Sequence, residues 1–319
     1  MTGTMPRREA MIGAALEQCA EKVESVGRGR WRIGLANGKP FAATARLEDG
    51  WLVLEARPAL PRPTALLWEL LTLNGAIGSG SKLTLPPDGG ALHLRAEVPA
   101  WDDASVTQRL AEACRSLEEA HGCVGSGKLV QPAPGATVTT VDVREKADAG
   151  DLPQLLSEAG WPRAERKRED LAVQLDVPGA FYQACVEVRA RGEVRIGVEV
   201  AAAETFSPAV RRALGRLLLV GSGLVRLVRA AAATNGAGDS ARFEVGFRSL
   251  PSAAELDVAL GALSVACRCF GREAKALARE DVASTYLELG GWAEPASPPL
   301  PRASRMRRAV LGREASIKQ

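Results

Sequence analysis

The chain has 319 residues, 46% of them hydrophobic and 25% charged, with a net charge of +3. That length suits two domains of roughly 130–150 residues better than one, and the composition is that of an ordinary soluble protein. The small net charge gives no electrostatic footprint for nucleic acid, and no apolar run reaches the ~20 residues that would span a bilayer.

The first twenty-odd residues repeat apolar side chains at helical spacing (Ile12, Ala15, Leu16, Cys19, Val23, Val26), so a helix is expected over residues 7–26, stopped by Gly27-Arg28-Gly29. Glu17, Glu21 and Lys22 interrupt what a secretory leader would need as an apolar core, so a cytoplasmic protein is expected. Three alternating segments follow, one through Trp31, Ile33 and Leu35, one through Phe41 to Leu47, and one from Trp51 to Ala56. Asn37-Gly38 and Asp49-Gly50 supply tight turns between them, so a meander of three antiparallel strands is predicted.

A helix from Pro63 then carries Leu66, Leu67, Leu70, Leu71 and Leu73, with Trp68 beside them. Its apolar surface exceeds one face, which points to a sandwiched or interfacial helix and leaves Trp68 open between core filling and interface. Gly78-Ser79-Gly80 ends it, and a second hairpin turns at Pro86 to Gly90 before a last helix capped at Asp102 or Asp103.

Residues 123–150 are rich in Gly, Pro, Ser and Thr and read as a linker, with a short strand possible at Ala136 to Val143. The elements then repeat. A short helix begins at Asp151, a charge run from Arg163 to Asp170 reads as solvated, and alternation marks strands at Leu171 to Val177, at Val186 to Ala190 and at Val194 to Val198. Ser207-Pro208 opens a second Leu-rich helix with Leu214, Leu217 and Leu218, closed by Gly221-Ser222-Gly223. An offset of 143 residues superimposes the two Gly-Ser-Gly triplets and sets Val194, Ile196 and Val198 on Trp51, Val53 and Glu55. A further hairpin and a helix with a Ser252/Glu255 capping box complete the copy.

The expected fold is therefore α+β, two tandem modules of order α-β-β-β-α-β-β-α, each an antiparallel sheet packed with helices. The modules span residues 1–122 and 151–289, and residues 290–319 form a Pro-rich tail with six cationic residues against two glutamates. Leu67, Trp68, Leu70, Leu71, Leu214, Leu217 and Leu218 are the candidate surface for partner binding or for contact between modules.

That element order resembles the type III secretion chaperone-like fold of the Tir chaperone (CesT) and YbjN families. The sequence from Leu70 to Leu85, with its Leu-rich helix, Asn-Gly and strand, the Pro-Asp-Gly turn, and the alternation of Leu92, Leu94, Ala96 and Val98 carry the likeness. It covers Arg8 to Gly122 and Asp151 to Arg279. The resemblance implies a non-enzymatic role, holding a protein partner or secreted substrate on apolar helix and sheet surfaces, as a homodimer or as an internal pseudo-dimer. Secretion chaperones are typically acidic single modules, whereas this chain is double and has an isoelectric point near 8.6.

No catalytic, cofactor-binding or metal-binding residues are predicted. Gly122 to Leu129 fails the phosphate-loop pattern at Leu129 and follows a helix instead of a strand. His93 is expected on the solvent face of a strand and His121 at a helix end, and most of the six cysteines are expected to be buried thiols. The alternative function is a nucleic-acid-associated regulator using the basic tail.

Overall fold

Each half of the chain builds one six-stranded, wholly antiparallel sheet, and the two sheets share a single strand order. The computed structural model describes residues 4–36, 40–58, 67–78, 80–100, 103–125, 152–161, 164–167, 170–188, 192–235 and 238–292. The predicted Asn37-Gly38 turn, the strand at 136–143 and the basic tail lie outside these residues.

The first half runs α1 (Thr4–Cys19), β1 (Lys22–Gly27), β2 (Arg30–Ala36), β3 (Pro40–Glu48), β4 (Trp51–Ala56), α2 (Leu67–Ala76), β5 (Ser81–Thr84), β6 (His93–Pro99) and α3 (Asp103–Gly125). Its sheet order is β1-β2-β3-β4-β6-β5. The second half runs α4 (Leu152–Glu158), β7 (Ala164–Lys167), β8 (Asp170–Val177), β9 (Ala180–Val188), β10 (Val194–Ala203), α5 (Pro208–Leu224), β11 (Arg229–Asn235), β12 (Gly238–Phe247) and α6 (Ala253–Ala266). A π-helical turn (Cys267–Gly271), α7 (Arg272–Leu277) and α8 (Glu280–Leu289) follow. Its sheet order, β7-β8-β9-β10-β12-β11, repeats the first term by term. The fold is α+β and the modules are two copies of one topology.

Four strands precede each central helix, one more than expected. In the first copy the helix stops at Cys19 and residues 22–27 form edge strand β1, with Gly29 (φ 61°) in the β1–β2 turn. Val23 continues the helical stripe by spacing, yet pairing with Ile33 on β2 decides its state, because strand stability comes from neighbours more than from local preference. In the second copy the charge run contains β7, which pairs with β8. Charged residues suit an edge strand because they discourage pairing with other chains.

The offset of 143 does not hold either. Ala45 lies opposite Leu54 and Val186 opposite Ile196, so Ile196 belongs with the inward set Leu52, Leu54 and Ala56 and not with Val53. The Gly-Ser-Gly triplets also differ in role. Gly80 is a turn residue with φ 100°, whereas Gly221 to Gly223 continue α5 in helical conformation to Leu224.

One hydrophobic core runs through both halves, from Ile12 and Leu16 on α1 to Leu287 on α8. The helix starts in the second half are built as predicted. The Ser207 side chain accepts from Val210 N–H with Pro208 in the first turn, and Ser252 and Glu255 form a capping box. The π-helical turn sits where Tyr182 of β9 reaches α6 and α7. A Cβ on Gly271 would lie 2.3 Å from the Tyr182 hydroxyl, which is buried and has no hydrogen-bond partner. Tyr182→Phe therefore removes an unsatisfied polar atom and should stabilise the protein by about 1 kcal/mol, read from the urea midpoint. A lower midpoint would show that the hydroxyl has a partner in solution.

Candidate functional site

The seam between the two modules gathers most of the buried polar chemistry. Each central helix crosses to the other module's edge strand, α2 packing on α5 and β11, and α5 on β5. The approach is close because the crossing points are small. A Cβ on Gly215 would come within 2.6 Å of Leu67 Cβ, and one on Gly75 within 3.1 Å of Ala231 Cβ. The run Ala230 to Ala233 makes β11 a flat bed for α2.

Leu67, Trp68, Leu70, Leu71, Leu214, Leu217 and Leu218 are all buried here. The Trp68 indole N–H donates to Thr234 Oγ1 (3.5 Å), its ring meets Phe206 edge-on at 5.7 Å, and the Arg211 guanidinium lies over it at 5.8 Å. All three neighbours belong to the second half. Sequence reasoning missed Asn74, which it noted only as part of the Asn-Gly after the Leu-rich run. The residue lies inside α2, fully buried, and its side chain donates to Ala230 O (2.7 Å) and accepts from Leu83 N–H (2.7 Å). One amide thus ties β5 to β11. Ser222 Oγ accepts from the N–H of the same Ala230 (2.7 Å), which accounts for the serine between its two glycines.

Two ion clusters flank these contacts, and they are reciprocal. On β5 and β6, Lys82 and Arg95 pair with Glu97 at 2.8 and 2.9 Å, and the Lys82 ammonium also donates to Val225 O and Val228 O just beyond α5. On β11 and β12, Arg229 and Arg242 pair with Glu244 at 2.6 and 2.9 Å, and Arg229 donates to Ile77 O and Gly78 O just beyond α2. Each module's edge-strand cation therefore caps the end of the other module's central helix, satisfying carbonyls that would otherwise be orphaned. The sequence holds the clue in a shared pattern, Arg95-Ala96-Glu97 and Arg242-Phe243-Glu244, preceded by Lys82 and Arg229. Each member follows its counterpart by 147 residues. The hairpin registers differ by one pleat repeat, with Lys82 opposite Arg95 but Arg229 opposite Glu244.

The first cluster is extended by Arg226, which reaches Glu97 and Glu48, and by the Leu227 N–H, which donates to Glu97 Oε2 at 2.6 Å. Leu227 takes a left-handed conformation (φ 62°), held by that bond. Burial pushes the Lys82 ammonium down to about 8, against the pull of Glu97. For Glu97 and Glu244 burial acts upward, and the surrounding cations more than offset it, holding both carboxyls below their ordinary 4.5. Both therefore bind a proton less readily folded than unfolded. Their stabilisation is fully present above about pH 4.5 and is lost as pH falls through the folded values. Urea midpoints taken from about pH 6 to about pH 3 should fall steeply below the ordinary value, and Glu97→Gln, weaker at the start, should show a flatter profile. Parallel profiles would remove Glu97 from the acid response.

A cavity of about 370 Å³ opens beside the clusters. Its two walls are strand ends. β6 runs three residues, Glu97 to Pro99, past Ala96, its last partner on β5. β12 runs three residues, Val245 to Phe247, past Glu244, its last partner on β11. All six residues line the cavity, with Ala113 of α3 and Val258 of α6 over it and Arg109 and Arg248 among its charged lining. Arg109 pairs with Glu255 at 2.9 Å, and Arg248 pairs with Glu119, so both bridges join the two halves.

The remaining sequence candidates lie apart from this site. His93 is on the outer face of the first sheet, bonded through Nδ1 to Glu55 Oε1 (2.9 Å), and His121 stacks on Phe41 at 3.9 Å within α3. Cys114 and Cys267 are buried thiols pushed up to about 12, whereas Cys123, Cys185 and Cys269 are exposed, contrary to expectation. Their positions on outward-facing strand and helix surfaces explain it, since alternation places Cys185 opposite Ala184 and Val186. Among the described residues no group of three or more His, Cys, Asp or Glu is disposed to hold a metal, and no helix is long and apolar enough to cross a membrane. No protein-family model, curated protein or solved structure matches this chain.

Proposed function

We propose that the protein is a non-enzymatic, cytoplasmic protein-binding module, a single-chain counterpart of the dimeric chaperone-like proteins that its element order resembles. The observation that carries this reading is the crossed packing of α2 and α5. It joins two copies of one topology into a pseudo-dimer and uses up the apolar helix faces, leaving sheet edges and the inter-module cleft for a partner. The buried charges of the seam serve structure, each engaged with an opposite charge or a helix-end carbonyl. Three exposed thiols suit a reducing compartment.

Leu70 and Leu217 are too deeply buried to serve as partner-binding probes, because a charge there would unfold the protein. The test is photo-crosslinking in cells, with a benzophenone amino acid placed singly at Glu24 on β1, at Ala254 at the cleft and at Glu280 on α8 as a control. All three positions are exposed. A discrete polypeptide adduct at Glu24 or Ala254, absent at Glu280, is the expected result. No adduct above the control at either position would overturn the reading. Adducts to nucleic acid that vanish on deletion of residues 293–319 would favour the tail-based alternative.

A further inference from the structure

We propose that the inter-module cavity is a binding site for a short extended peptide segment, which adds as a strand to the overhanging ends of β6 and β12. This rests on the protein-binding reading and names its site.

The first argument is the edge geometry. Strand addition needs a sheet edge that another strand can join, and the lengths of β6 and β12 that run past their hairpin partners both face this one cavity. Both overhangs are three residues long, and both belong to the last full strand of their sheets. The outer edge strand β1 is not enclosed in this way. β1 is exposed along nearly its whole length.

The second argument is size. A strand with a rise of about 3.3 Å, a spacing of about 4.8 Å and a sheet thickness of about 10 Å occupies roughly 160 Å³ per residue. A cavity of about 370 Å³ thus seats two to three residues, which matches the length of the overhangs. Side chains that alternate about such a strand would meet two different surroundings. The lining offers both kinds, apolar at Ala113, Phe247, Leu250 and Val258 and charged at Lys82 and Arg229.

The third argument is charge. Five cations (Lys82, Arg95, Arg109, Arg229, Arg248) but three carboxylates (Glu97, Glu112, Glu255) line the cavity. Arg109 and Arg248 are the more exposed of these cations, and each is held by a glutamate that an incoming acid could replace. The segment that fits is an apolar residue flanked by acidic ones, in extended conformation.

The experiment uses the full chain and a phage-displayed library of random linear peptides. Enriched peptides, made synthetically with a fluorescent label, are titrated by anisotropy against the wild type and two variants. Ala254→Trp fills the cavity mouth from an exposed helix position, and Phe181→Asp alters an exposed strand end on the far side of the second sheet. Enriched peptides should carry an apolar residue beside Asp or Glu. Their affinity should fall at least tenfold with Ala254→Trp, stay unchanged with Phe181→Asp, and fall likewise when the peptide is N-methylated on the residue beside the apolar one.

Peptide binding that Ala254→Trp leaves intact would move the site elsewhere and overturn the proposal, while the general protein-binding reading would stand on its crosslinks. Binding that survives N-methylation at every position would overturn strand addition. If no peptide is enriched and the apolar anion anilinonaphthalene sulfonate binds the wild type but not Ala254→Trp, the cavity is a small-molecule site and the proposal falls.

Discussion

Gly215→Val should cost the protein about 3 kcal/mol and lower its urea midpoint accordingly. The backbone of α5 passes so close to α2 that even a Cβ at position 215 would lie 2.6 Å from Leu67 Cβ and 2.9 Å from its carbonyl carbon. One of those neighbours is main chain, so no rotamer change relieves the clash, and the two helices must separate along a fully packed seam. A helical glycine normally costs stability relative to alanine, which gives the experiment an internal contrast. Gly261, in α6, has open space where its Cβ would be, and Gly261→Ala should stabilise by up to about 1 kcal/mol. Opposite signs for two glycines in helices of one module would isolate the crossing as the cause. Adding Leu67→Gly to Gly215→Val should restore part of the loss, and an additive double variant would break the link between the two sites.

The second large effect is expected at Glu244. This carboxylate is 1% exposed and accepts from Arg229 Nε at 2.7 Å, with Arg242 at 2.9 Å and Arg195 at 3.7 Å. Glu244→Ala leaves three guanidinium groups without their common counter-charge, two of them nearly inaccessible to water, and should cost about 3–5 kcal/mol. Glu244→Gln keeps the volume and one acceptor, so it should fall between. Asp281→Ala, which breaks a surface pair with Arg279, should leave the midpoint unchanged. An equal response to the surface and buried substitutions would mean that the cluster is hydrated in solution and the seam looser than its distances imply.

The duplication was legible in the sequence because element order survives where identity does not. Tight turns, helix caps and the Leu-rich central helices were each readable from local chemistry, and Ser252 with Glu255 forms the cap its spacing implied. Two edge strands were not, because β1 and β7 owe their state to pairing with a partner strand. The Gly-Ser-Gly triplets misled for a physical reason. Glycine serves a positive-φ turn at Gly80 and a close approach at Gly221, where a Cβ would lie 3.2 Å from the Phe270 ring, and the letter is the same for both. The candidate site was the least legible part. Lys82, Asn74 and Arg229 look like surface or turn residues in one dimension. They become interior only because main chain from the other half arrives above them, 140 to 160 residues away in the chain.

The matched overhangs of β6 and β12 have a consequence for directionality. In an assembly of two identical chains, anything bound on the symmetry axis meets the same wall twice and can lie in either sense with equal energy. Here the walls have diverged. The β6 end terminates in Pro99, which offers a carbonyl but no N–H, whereas the β12 end, Val245 to Phe247, contains no proline and keeps every N–H. Fusing the copies into one polypeptide has freed each wall to change alone, so an occupant of that axis can be read from one end to the other.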